Sequence, residues 1–275
     1  MKKRIVSAAI LLPLIIAIFI IGNWPYRLLV LAVTLVAGLE YVQMLRRREF
    51  RLSLLSVMGM TIAWEVGAFR PDGVLEDTWL VPAVTLATLA IVFWELVEVR
   101  RGQRPNPTEQ WALTLAGGTY LGLGGLHLIG LRDLPDGLWW TLTTCIVVWV
   151  GDSAAYMVGS RWGHRKMAPT ISPGKSWEGY AAQVVSGLAT GYLVVWLWAV
   201  ISGDVLTLTP VYGLIVGGVV SALCPVGDFF VSMIKREVGV KDTSNLVPGH
   251  GGVFDRIDSI LWAAMLGHLL AQWMI

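Results

Sequence analysis

The sequence predicts an all-α integral membrane protein with about nine transmembrane helices, its N-terminus in the cytoplasm and its C-terminus outside. Three observations carry this expectation. The 275-residue chain is 55% hydrophobic and only 15% charged, whereas soluble domains carry about 25% charged residues. Its apolar residues gather in runs close to the roughly 20 residues that a helix needs to cross the hydrocarbon. Its basic residues fall almost entirely on one side when those runs are threaded alternately through a bilayer. The net charge of +2 decides nothing by itself; its distribution does.

The first apolar run, 5–21, follows Met1-Lys2-Lys3-Arg4 and could pass for a signal peptide. It lacks a small-residue cleavage site and further apolar runs follow, so it reads as a first span. Spans are predicted next at 27–45, 52–69, 79–99, 111–130, 138–158, 180–201, 210–234 and 257–274. Trp24, Trp79, Trp111, Trp139 and Trp140 sit near the ends of these runs, as aromatics at a membrane interface should. With the N-terminus inside, eighteen of the 21 basic residues are cytoplasmic and only Arg27, Arg70 and Arg132 are not. The opposite side collects Asp72, Glu76, Asp77, Asp133, Asp136 and Asp204. No repeat or linker interrupts the chain, which reads as one membrane domain. It divides loosely into an N-terminal scaffold, 1–110, and a chemically richer region, 111–275, with long cytoplasmic loops at 159–179 and 235–256. Topology puts both loops on one face.

Several polar or small residues read as structural. Cys145 and Cys224 lie inside apolar runs and show no metal spacing. His127 and His268 have apolar surroundings, and Gly122-Leu123-Gly124-Gly125 reads as a helix-packing surface. Acids within spans default to function because burying them in lipid is costly. Glu40, Glu95 and Glu98 lie close to cytoplasmic ends and Glu65 close to an outer end, so these four read as reaching water. Asp152 and Asp228 differ, since their spans lead directly into the two rich loops.

The 228–258 stretch alternates carboxylates and cations: Asp228, Lys235, Arg236, Lys241, Asp242, Asp255, Arg256 and Asp258. On a helix, Asp228, Ser232 and Lys235 share one face, with Asp228 roughly 10 Å deeper than Lys235 at ~1.5 Å per residue. A carboxylate below and an ammonium above suit a metal inside with phosphates toward the cytoplasm. Asp255, Asp258 and Ser259 form a second cluster at the start of the last span, where a helix N-terminus favours negative charge. A set of oxygen donors selects a hard cation such as Mg²⁺. The alternative is a buried ion pair of these acids with Lys235 or Arg256. The Pro248-Gly249-His250-Gly251-Gly252 turn argues for a phosphate-cradling loop, since glycines permit close backbone approach. His250 reads either as a hydrogen-bonding residue or as a base.

In the other loop, Ser172-Pro173-Gly174-Lys175-Ser176 reads as a phosphate-binding turn feeding a helix, with Ser176 as its N-cap. It is not a Walker A motif, which would need glycine where Pro169 stands.

These residues resemble the signature of the phosphatidate cytidylyltransferases, the CDP-diacylglycerol synthases. Ser232-Met-Ile-Lys-Arg236, then Lys241-Asp242, then Leu246-Val-Pro-Gly-His-Gly-Gly-Val-Phe-Asp-Arg-Ile-Asp258 carry the resemblance without a departure. Upstream, Gly151-Asp152 and Ser172-Pro-Gly-Lys-Ser-Trp-Glu178-Gly resemble a second family pattern, with Gly174 and Ser176 in place of the commoner lysine and threonine. The resemblance covers 111–275 and makes that region catalytic. It implies that CTP and phosphatidate give CDP-diacylglycerol and pyrophosphate in phospholipid biosynthesis. It implies Mg²⁺ as cofactor, with K⁺ as a candidate second cation and Asp228 and Asp255 as the metal carboxylates. It also implies a homodimer in the bacterial inner membrane, with the site facing the cytoplasm and no nucleic-acid partner.

One substrate cannot leave the bilayer cheaply and the other is a polyanion, so the chemistry belongs at the inner interface. The expected roles follow. Lys235, Arg236, Lys241 and Arg256 hold the CTP phosphates and the leaving pyrophosphate; Ser172, Lys175 and Ser176 hold the phosphatidate phosphate. Asp152, Asp242 and Asp258 support them, and Ser232 and His250 line the substrate site. A transporter would need polar residues across the whole bilayer. A CTP-dependent lipid kinase would release CDP. The CDP-alcohol phosphotransferase pattern of spaced aspartates is absent.

Overall fold

A computed structural model describes residues 13–48, 50–68, 77–102, 106–202, 206–246 and 251–275. Among the described residues the fold is all-α apart from one short hairpin. Residues 13–21 are helical (α1), followed by α2 (Asn23–Leu45), α3 (Leu54–Glu65), α4 (Asp77–Arg100), α5 (Pro107–Asp133) and α6 (Gly137–Trp162). Strands β1 (Lys166–Ala168) and β2 (Ser172–Ser176) lead to α7 (Trp177–Ser202), α8 (Pro210–Leu223), α9 (Pro225–Glu237) and α10 (Phe254–Met274).

Six helical segments among the described residues are long and apolar enough to cross a membrane: Asn23–Arg48, Trp79–Arg100, Pro107–Asp133, Gly137–Trp162, Trp177–Ser202 and Pro210–Glu237. The protein is thus a multi-pass membrane protein. The first predicted span is described only from residue 13. The third corresponds to the shorter apolar helix Leu54–Ala68, which at ~1.5 Å per residue falls short of the ~30 Å hydrocarbon. The ninth corresponds to α10, which is long enough but starts with Asp255, Arg256 and Asp258 and carries His268 and Gln272 further on. The eighth is broken. Pro225, which has no N–H to continue the ladder, ends α8 and opens α9.

The chain forms two compact units. The first comprises 1–130 and 237–256, the second 131–236 and 257–275. In the first, α5 lies against α2 and α3 through glycines. A Cβ at Gly117 would strike the Tyr41 ring, and one at Gly122 would strike Trp64 and the Thr61 backbone. Tyr41 and Tyr26 donate their hydroxyls to the carbonyls of Leu113 (2.9 Å) and Leu128 (3.0 Å). The expected packing role of the Gly122 region is therefore met. The four glutamates expected to reach water do not: Glu40, Glu65, Glu95 and Glu98 are at most 8% exposed. Glu65 accepts from Thr34 Oγ1 at 2.7 Å, and Glu98 pairs with Arg101 at 3.2 Å. Each acid sits on the face its helix turns toward neighbours, which proximity to a span end does not reveal.

In the second unit, α7 packs on α8 through two glycine pairs four residues apart. Cβ atoms at Gly187 and Gly191 would strike the carbonyls of Gly217 and Gly213, and the reverse holds. Small residues at this spacing let helix backbones touch in a membrane, where packing rather than the hydrophobic effect drives association. Leu131, Trp140, Val147, Val195, Val216, Val220 and Ala263 form the buried core. Gly227 lets α9 approach the Asp258 carbonyl of α10, where a Cβ would lie 2.7 Å away. Cys145 and Cys224 are buried and free, as their apolar surroundings lead one to expect.

Candidate active site

The second unit holds most of the upstream candidates. Residues 172–176 form a strand rather than a free turn. Lys166 pairs with Ser176 and Ala168 with Ser172 in an antiparallel ribbon, where Pro173 is tolerated because both strands are edges. The ribbon ends at α7, and the Ser176 hydroxyl accepts the Gly179 N–H at 3.2 Å. Ser176 is therefore the expected N-cap, and it is 2% exposed. Glu178 accepts the Arg165 N–H at 3.2 Å and closes the other side of the hairpin.

The hairpin is fastened to α9 at two points. Lys175 Nζ lies 2.7 Å from Asp228 Oδ2 and 4.4 Å from the Phe229 ring centroid. Arg236 Nε donates to the Ile171 carbonyl at 3.2 Å. The expected helical face is present too, since Ser232 Oγ donates to Asp228 Oδ1 at 3.1 Å. Lys235 is buried one turn further on. Asp152 accepts from Gln183 Nε2 at 3.1 Å, and the Ser259 N–H donates to Asp258 Oδ1 at 2.7 Å. Asp228 thus sits between a strand cation and a helix hydroxyl, and the cation rests on the Phe229 ring. The Asp228 ion pair runs to Lys175, which the sequence places fifty-three positions away.

The first unit holds Lys241, Asp242, Asp255 and Arg256. Asp255 Oδ2 accepts three hydrogens: from Thr243 N (2.8 Å), Thr243 Oγ1 (2.9 Å) and Gly252 N (3.1 Å). An acid in the first turn that reaches back to the preceding N–H groups is a variant of the capping box. Arg256 is exposed in the same turn. An open cavity of about 340 Å³ is lined by Arg47, Gly239, Val240, Lys241, Asp242, Ser244 and Asn245. His250 lies outside the described residues. The largest surprise is Glu40. Its Oε1 accepts from Ser244 Oγ (2.6 Å) and Val253 N (3.0 Å), and its Oε2 from Thr243 Oγ1 (3.2 Å) and Phe254 N (2.8 Å). The signal was present in the sequence as an acid inside an apolar run; its partners, about 200 residues on, were not.

The donor set suits the expected Mg²⁺ in kind. Asp228 and Asp255 offer only carboxylate oxygens, as a hard cation prefers. Among the described residues no group of three or more His, Cys, Asp or Glu gathers at ligating distance. Mg²⁺ bound by one or two carboxylates plus substrate phosphates needs no such cage.

Cations suited to phosphate thus occur in each unit: Arg47 and Lys241 line the open cavity of the first, and Lys175 of β2 pairs with Asp228 in the second. The chain belongs to the cytidylyltransferase family, whose model matches residues 2–274. It is 31% identical over 272 residues to the phosphatidate cytidylyltransferase of Bacillus subtilis, covering 95% of this chain and 94% of that protein. The phosphatidate cytidylyltransferases of Haemophilus influenzae and Pseudomonas aeruginosa are 32% and 33% identical, covering 94% and 97% of this chain and 94% and 99% of theirs.

Proposed function

We propose that the chain catalyses cytidylyl transfer from CTP to phosphatidate, yielding CDP-diacylglycerol and pyrophosphate. The observation that carries this reading is the chain-long similarity to phosphatidate cytidylyltransferases, together with a signature stretch that departs nowhere from the family pattern. A phosphatidate phosphate oxygen attacks the α-phosphorus of CTP, and the bond to the β-phosphate oxygen breaks. The nucleophile is already an anion, so no protein nucleophile is required. The obstacle is repulsion between two anions, and the protein's task is positioning and charge neutralisation.

Lys235, Arg236, Lys241 and Arg256 hold the CTP phosphates and the departing pyrophosphate. Ser172, Lys175 and Ser176 hold the lipid phosphate, with Lys175 passing from Asp228 to that phosphate when lipid enters. Asp152, Asp242, Ser232 and His250 line and support the site. Mg²⁺, held by Asp228 and Asp255, would neutralise phosphate charge when bound, and K⁺ is the candidate second cation. The basic-residue bias supports nine spans with the N-terminus and both loops cytoplasmic and the C-terminus outside, the short helix Leu54–Ala68 crossing where the bilayer thins around it. In this reading 1–110 is scaffold and 111–275 catalytic, and the protein works as a homodimer in the inner membrane.

The test is purified protein with phosphatidate in detergent micelles and CTP labelled in the cytidine. Label entering the lipid fraction is expected. Its absence under conditions where a relative is active would overturn the reading.

A further inference from the structure

Glu40 lies on α2, in the stretch that the sequence assigns to scaffold, yet it accepts hydrogen bonds from four residues of 243–254. It is 2% exposed and both its oxygens are filled by donors from 243–254. The donors bracket the loop: Thr243 and Ser244 at one end, Val253 and Phe254 at the other. The Thr243 hydroxyl has one hydrogen and two takers, Glu40 Oε2 at 3.2 Å and Asp255 Oδ2 at 2.9 Å. The two acids are thereby linked through a single side chain. Ser244 Oγ, while donating to Glu40, also receives the Leu246 N–H at 3.0 Å. Gly252 is small because it must be; a Cβ there would strike Thr243 Oγ1 and Glu40 Oε2.

The elements held this way border the cavity of about 340 Å³ whose cations are Arg47 and Lys241. Arg47 lies seven residues beyond Glu40, in the three-residue turn that ends α2, and Ser244 lines the cavity directly. One carboxylate therefore fixes the cavity wall and the helix start that presents Asp255 and Arg256.

We propose that Glu40 is a positioning residue for the nucleotide, shaping the cation-lined cavity and the Asp255 turn to receive the CTP phosphates. This inference rests on the nucleotidyl-transfer reading above. It differs from a simple helix–loop clasp in one respect: it concerns CTP and not phosphatidate, whose phosphate is assigned to the hairpin of the other unit.

Glu40→Gln tests it, because the isosteric amide can accept at only one end. Its N–H group must then face either the Val253 or the Phe254 N–H. The full-length protein in mixed micelles is assayed for KM toward each substrate, kcat, and amide hydrogen exchange at 251–255. Leaving a buried donor unmatched is expected to raise the KM for CTP roughly tenfold, with the phosphatidate KM unchanged and exchange faster at Val253 and Phe254. Glu40→Asp, which keeps two acceptors on a shorter stem, should fall between. If Glu40→Gln does not accumulate in membranes, Thr243→Val carries the same expectation in milder form. Equal rises in both KM values, or unchanged CTP kinetics, would overturn the proposal. Lys241→Ala separates the two levels. If it leaves CTP kinetics untouched, the nucleotide reading itself fails; if it weakens CTP binding while Glu40→Gln does not, only the positioning role fails.

Discussion

Replacing Asp228 by asparagine removes the carboxylate while keeping side-chain volume and one acceptor. Two readings of the Lys175–Asp228 contact then diverge in magnitude. As a structural ion pair, with side chains 27% and 31% exposed, it contributes about 1 kcal/mol at most, because such pairs remain screened by solvent. Such a loss lowers the unfolding temperature by roughly 2–4 °C in a chain of this size. It would reduce turnover only about fivefold even if it acted wholly on the transition state. As a group that organises phosphate charge during transfer, Asp228 is expected to matter roughly a hundredfold or more in kcat, the scale seen when a preorganised electrostatic group is removed. The assay is turnover of Asp228→Asn, Lys175→Met and the double variant in detergent, with thermal unfolding followed in parallel. The expected outcome is a near-complete loss of turnover for Asp228→Asn with normal membrane insertion and a shift of a few degrees. Lys175→Met is expected to lose less, mainly through a higher phosphatidate KM. Retention of more than about a fifth of wild-type turnover by Asp228→Asn, the level that a screened ion pair allows, would refute the catalytic assignment.

Three further outcomes are expected. Ser176→Ala should cost about 1 kcal/mol by uncapping α7, seen as a small fall in unfolding temperature. Gly191→Leu should abolish accumulation of folded protein, because its side chain would enter the Gly213 backbone of α8; size-exclusion profiles report this. Chelating divalent cations should stop turnover and added Mg²⁺ restore it, and Asp255→Asn should raise the Mg²⁺ concentration needed for half-maximal rate.

Much of this was legible in the residues. The Asp228–Ser232 face and the Ser176 cap follow from local periodicity and capping chemistry, which depend on neighbours three or four positions away. Pro225 was also a readable signal, since a proline inside an apolar run of twenty-five residues breaks the helix ladder. The sequence pattern nonetheless suggested one unbroken span, because the hydropathy runs straight across it. The ribbon at 166–176 is hidden in the sequence because Pro173 and Gly174 read as turn residues, and only pairing with Lys166–Ala168 makes them extended. Glu40 is the clearest case. Hydropathy placed it near a span end and hence near water, whereas its hydrogen bonds join positions more than 200 apart. No periodicity in a single sequence records such a contact. Burial of Glu65 against Gly125 was hidden for the same reason.

The central claim is that the bond broken in CTP lies between its α- and β-phosphates. Purified protein can be given CTP labelled with one isotope in the cytidine and another in the γ-phosphate, together with phosphatidate. Cytidine label in the lipid and γ-label in water-soluble pyrophosphate, in equal molar amounts and both lost in Asp228→Asn, is the expected result. Gamma-label in the lipid with cytidine left in solution as CDP would contradict it.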